Sequence, residues 1–196
     1  MSIGKLFQPT AKSRPPALGL VSDPRARDVL LDLHRKASLE VDWCWLYALL
    51  QISRPLRAIS LGRPQLIELI ALASALSDAG ARHLECLGED SPCLPVWNHT
   101  LARAGLDWLV RFRTDPDPCH SAPAELLWLN AANCPRSLLE RGLSRRALVI
   151  GRHPIGSPGE FIATAARIGS HRFRLLHDSP ESAGFWVVGG NVAGSH

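Results

Sequence analysis

The chain has 196 residues, 46% of them hydrophobic, a formal net charge of +4 and a sequence pI of about 9.0. That length and apolar content suffice for one core of ordinary domain size, which excludes a largely disordered chain. The arginines are scattered (Arg25, Arg27, Arg54, Arg57, Arg63, Arg103, Arg111, Arg113) rather than gathered in one dense run, so the charge does not indicate a nucleic-acid partner.

The five cysteines, Cys44, Cys86, Cys93, Cys119 and Cys134, are odd in number and form no CxxC or other zinc-like spacing. They read as reduced thiols of a cytoplasmic protein. The opening MSIGKLFQPTAKSRPP lacks the apolar centre of a secretory signal, and no apolar run reaches membrane-span length, so no membrane partner is expected.

Residues 1–22 are rich in Pro, Ser, Lys and Gly without a sustained period and read as a flexible arm; residues 23–190 read as one α/β domain. Asp23-Pro24 is a helix start, an N-cap oxygen followed by a proline whose missing N–H costs nothing there. A second helix over residues 41–52 carries Trp43, Trp45, Leu46, Leu49 and Leu50 and is apolar on too many sides for a solvated helix. It belongs either to the core or to a surface that meets a second copy or another protein.

Ser53-Arg54-Pro55 ends that helix, and strand and helix then alternate. Strands are predicted over residues 57–61, 83–87, 107–113, 125–129 and 147–150, and helices over 64–77, 95–104, 135–141 and 158–168. Gly80 and Gly105 supply helix stops. Residues 171–177 and 185–188 are joined by a connection too short for a helical crossover, so they form an antiparallel hairpin. The βαβ rhythm places a ligand site at the carboxyl ends of the parallel strands.

LARAGLDWLVRFRTD (residues 101–115), the AISLG strand end, ELLWLN and the closing SAGFWVVGG together resemble the class I methyltransferases that use S-adenosylmethionine, particularly the small O-methyltransferase type. The resemblance covers roughly residues 46–189. It implies a Rossmann-like, mostly parallel seven-stranded sheet with a C-terminal antiparallel hairpin. It also implies cofactor contacts at Gly62, the first glycine after strand one; at Glu89, displaced by two positions from the usual ribose-binding acid; and at Asp115, the adenine-side acid after strand three. Ser60 replaces the acid expected two positions before Gly62, and Arg63-Pro64-Gln65-Leu66 replaces the later glycines. Relatives that use a divalent metal carry aspartates where this chain has Asn130 and Gly151-Arg152-His153, so no catalytic metal is expected.

His153 lies where strand five delivers residues to the cleft, as a base for an acceptor hydroxyl or as a loop residue capping backbone before Pro154. His99 and His120 read as solvated positions. Trp43, Trp45, Trp97 and Trp128 form either an aromatic wall for a planar substrate or core contacts. Asp115-Pro116-Asp117-Pro118 is a cation-binding pair or a rigid exposed turn, and Asn133-Cys134-Pro135 is a thiol activated at a helix start or a residue of its cap region.

Three functions follow. The first is methyl transfer from S-adenosylmethionine to an oxygen or nitrogen of an unknown acceptor. The second is an inactive homologue serving as a scaffold or regulatory partner through the helix at 41–52. The third, a different nucleotide binder, lacks both GxGxxG and GxxxxGK[ST].

Overall fold

Seven strands and five helices form among the residues that the computed structural model describes, which are 19–36, 44–88, 93–114, 122–131, 133–153, 155–168, 172–178 and 185–191. The strands are β1 (Arg57–Gly62), β2 (His83–Leu87), β3 (Val110–Arg113), β4 (Ala124–Asn130), β5 (Leu143–Arg152), β6 (Arg172–Asp178) and β7 (Phe185–Asn191). They make one sheet in the order β3-β2-β1-β4-β5-β7-β6. The first five are parallel, and β7 runs antiparallel between β5 and β6. The expected hairpin is therefore present, with its second strand inserted into the sheet rather than added at the edge.

The helices are α1 (Pro24–Lys36), α2 (Cys44–Ser53), α3 (Leu66–Asp78), α4 (Leu94–Ala104) and α5 (Pro158–Ile168). Alternate residues of the central strands feed two cores, as the two-residue period of a strand requires. One holds Ala58, Leu126, Trp128 and Ile150 with α1 to α4; the other holds Ile59, Leu127, Leu129 and Val149 with Leu138, Leu139 and α5. α3 is apolar enough to be buried along almost its whole length, from Ile67 to Leu76.

Three predicted elements change, the first being β3, which begins at Val110 rather than 107. In place of a helix over 135–141 there is a single π turn, Leu138–Gly142, which buries both Leu138 and Leu139 before Gly142 releases the chain into β5. β5 starts at Leu143 rather than 147, and its first residues slip in register against β4 between Ala124 and Leu126. Ser144-Arg145-Arg146 carries no apolar alternation because it lies at this irregularity, outside the core that Leu143 and Ala147 enter on either side of it. At the other terminus Val21 is 2% exposed and the Ser22 N–H donates to Asp78 Oδ2 at 2.9 Å; residues 1–18 of the expected arm lie outside the described residues.

α2 divides cleanly by burial. Leu46, Tyr47 and Leu50 enter the core, whereas Ile52 is 82% exposed. Trp97 and Trp128 are buried core residues, and half-buried Trp45 stacks obliquely on Phe185 with ring centroids 5.4 Å apart; Trp43 lies outside the described residues. No helix among the described residues is long and apolar enough to cross a membrane.

Candidate functional site

β1 and β4 are neighbours, yet the chain leaves β1 toward β2 and leaves β4 toward β5. That reversal opens a crevice at the carboxyl ends of the two strands. There Gly62 pairs with Asn130. Gly62 has φ +85°, and a Cβ on it would fall 2.5 Å from the Asn130 carbonyl oxygen, so only glycine lets the two strand ends close up. Asn130 is 9% exposed, and neither its Oδ1 nor its Nδ2 has a hydrogen-bond partner among the described residues. A buried amide with both ends unsatisfied is costly in a folded protein and marks a place where a ligand or water completes the site. The fully buried Ser60 hydroxyl also has no hydrogen-bond partner among the described residues.

The turn that follows β1 is closed by its own side chains. Glu68 accepts the Gln65 N–H at 2.9 Å and pairs with the Arg152 guanidinium, which arrives from the end of β5. Glu68 is 1% exposed and Arg152 12%, measured on their side chains. Burial lowers the Arg152 pKa from its ordinary value, and the guanidinium carbon lies 6.0 Å from the Phe185 ring centroid. Arg63 turns away to donate to Cys93 Sγ at 3.4 Å, while Leu66 packs half-buried against the core.

On the other side of β4, a cavity of about 620 Å³ is lined by Leu129, Cys134, Ser157, Phe161, Arg167 and Trp186, among others. The floor is apolar and aromatic and the rim is polar, the usual construction of a small-molecule site. The Trp186 ring lies against Gly151, where a Cβ would fall 2.0 Å from it, and its indole N–H donates to the Gly156 carbonyl at 3.1 Å. The ring is thereby fixed as a wall. Asp178 stands opposite Trp186 in the β6–β7 ladder, and its Oδ1 lies 2.7 Å from His153 Nε2. Neither His153 nor Asp178 lines the cavity itself; the pair is linked to it through Trp186, the ladder partner of Asp178.

No protein-family model and no curated protein matches the chain. Solved structures do. A methyltransferase from Geobacter sulfurreducens is 16% identical, with 86% of this chain and 88% of that chain covered and a TM-score of 0.58. An O-methyltransferase from Bacillus cereus, solved in complex with SAH, is 18% identical over 86% of this chain and 91% of that one, with a TM-score of 0.56. TomG from Streptomyces achromogenes, an O-methyltransferase solved with SAM, is 17% identical over 91% of each chain, with a TM-score of 0.52. The fold is the Rossmann-like methyltransferase fold.

Within this methyltransferase fold the residues expected from sequence are only partly brought together. Gly62 and His153 both stand at the carboxyl edge, whereas Glu89 and Asp115, with Asp117 and His120, lie outside the described residues. Glu85, the other acid near the end of β2, is committed to Arg57 at 3.6 Å and His83 at 3.0 Å. Cys134 is not an activated thiol, because burial in apolar surroundings pushes it up to about 12. Among the described residues no three His, Cys, Asp or Glu side chains converge on one point. Sequence reading missed Asp178 as the partner of His153, and it weighed Asn130 only as a weak metal ligand; neither has a local sequence signal.

Proposed function

We propose that the chain is an S-adenosylmethionine-dependent methyltransferase acting on an oxygen or nitrogen of a small acceptor. The observation that carries this reading is the seven-strand order, with an unsatisfied Asn130 amide at its switch point, in a fold whose solved neighbours include proteins in complex with SAH and SAM. An amide presents both a donor and an acceptor, which suits a ligand rich in hydroxyl, amino and ring-nitrogen groups. Asn130 and Gly62, with Glu89 and Asp115, would hold the cofactor; when bound, it supplies an electrophilic methyl group on a sulfonium sulfur.

The remaining chemistry belongs to the chain. Asp178 accepts the Nε2–H of His153 and so selects the tautomer whose Nδ1 lone pair is free to take a proton. In this reading the acceptor enters the cavity walled by Phe161 and Trp186, where an apolar floor excludes water and aligns the nucleophile. Among the described residues Cys44, Cys86, Cys93 and Cys134 form no disulfide, which supports a cytoplasmic setting.

Titration calorimetry of the full chain with S-adenosylhomocysteine tests the reading. Saturable binding that weakens in Asn130→Leu is the expected result. No heat at millimolar ligand overturns it and leaves a non-catalytic homologue.

A further inference from the structure

A second cavity, of about 550 Å³, opens at the amino edge of the sheet, the end away from Gly62 and Asn130. Arg54, Glu125, Ser144, Arg145 and Arg146 line it with Leu148 at its base. Three arginines and one glutamate are therefore among its lining residues; the glutamate is already engaged, since Glu125 Oε2 accepts the Leu56 N–H at 2.5 Å.

Three separate features build the arginine cluster. Arg54 closes α2 through its N–H to the Leu50 carbonyl at 2.8 Å, and it does so at φ +45°, the one positive φ of a non-glycine residue among the described residues. Helix stops of this kind favour glycine or asparagine, and here the Arg54 side chain stays at the helix end, its Nε donating to the Gln51 carbonyl at 3.3 Å. Arg145 and Arg146 are exposed and occupy the stretch where β5 slips against β4. Consecutive strand residues ordinarily point to opposite faces, and the irregularity is what lets both line one cavity. Gly190 packs its backbone against the Arg145 carbonyl, where a Cβ would fall 2.5 Å away, and so holds that stretch in place. Finally, the Ser144 hydroxyl is enclosed and has no hydrogen-bond partner among the described residues.

We propose that this cavity binds a phosphoryl or pyrophosphoryl group of a small molecule, held by Arg54, Arg145 and Arg146 and by the hydroxyl of Ser144. Guanidinium groups match phosphate oxygens in pairs, and a hydroxyl donor supplies a further directed bond. The volume lies within the range of small-molecule sites and exceeds what one phosphate fills, which favours a pyrophosphate or a phosphate ester. The site is separate from the carboxyl edge and does not depend on methyl transfer.

Inorganic pyrophosphate is the probe, titrated calorimetrically into the full chain at physiological salt. Saturable one-to-one binding is expected, weakened about tenfold or more by Arg145→Ala with Arg146→Ala and less by Ser144→Ala. Arg103→Ala, which removes an exposed charge from α4, should leave it unchanged, and saturating S-adenosylhomocysteine should not compete. The proposal is overturned by absent binding at millimolar pyrophosphate. Equal loss in Arg103→Ala also overturns it, because that would be diffuse charge attraction. Binding that survives the double substitution does the same.

Discussion

The two ends of this sheet treat charge in opposite ways. At the carboxyl edge Arg152 is drawn inside, paired with a Glu68 that is 1% exposed, and their pairing ties β5 to the start of α3. At the amino edge Arg145 and Arg146 stay at the surface around a cavity whose one carboxylate among the described residues, Glu125, accepts a backbone N–H. Buried charge must be matched, so the first arrangement is structural; exposed unmatched charge costs little, so the second is free to meet a ligand.

The comparison is broken most directly by removing one charge at each end. Arg152→Ala leaves Glu68 buried without its partner and should lower stability by about 3–5 kcal/mol, read from the denaturant midpoint. Arg145→Ala should stay within about 0.5 kcal/mol of the parent. The pair Glu68→Gln with Arg152→Met should recover most of the loss, because it leaves no stranded charge. An Arg152→Ala protein as stable as the parent would show that water reaches Glu68.

Next in size is the polar pair His153–Asp178, beside Trp186 of the α5 cavity. With any acceptor that the parent chain methylates, His153→Gln should slow S-adenosylhomocysteine formation about 100-fold while leaving cofactor binding unchanged. Asp178→Asn should reduce the rate less and alter its pH profile, since an amide cannot choose between tautomers as a carboxylate does. Equal losses of rate and of cofactor affinity would make the pair a structural contact.

Much of the scaffold is legible because it rests on local pattern. The apolar strands RAISL and HLECL are buried on both faces, and the helix stop at Gly105 takes φ +70° as a left-handed cap requires. The start of β5 is not legible because Ser144-Arg145-Arg146 falls in the register irregularity between Leu143 and Leu148. The π turn was unreadable because two adjacent leucines fit a helix as well as a single turn. The site is less legible than the fold. Glu68 and Arg152 meet across 84 residues and His153 and Asp178 across 25, distances at which no spacing rule applies. Gly62 was visible as a glycine that permits close approach, but the sequence did not say that the approaching group is the backbone of Asn130.

Gly62→Ala tests that approach. A left-handed φ alone should cost about 1–3 kcal/mol, and the clash with the Asn130 carbonyl has no flexible side chain to absorb it. Gly156→Ala, with nothing within 4 Å of the added Cβ, is the matched control and should be close to neutral. Equal effects at the two positions would mean that β1 and β4 separate easily at their carboxyl ends.

The smallest effect is chemical and sits on the wall of the α5 cavity. Cys134 is held up to about 12 from an ordinary 9.0 by burial alone, so at neutral pH its thiolate fraction in the folded chain is far below that of an unfolded thiol. Alkylation with iodoacetamide, mapped by peptide mass, should label Cys134 slowly in the native chain and at the normal rate after denaturation. The linkage has a definite sign. Below pH 9 both states keep the proton and the group contributes no pH dependence. Between about 9 and about 12 the unfolded chain has lost the proton while the folded chain retains it, so stability falls as pH rises through that window. Cys134→Ser should flatten that alkaline slope slightly, and a slope identical in parent and variant would mean that the thiol is in contact with water.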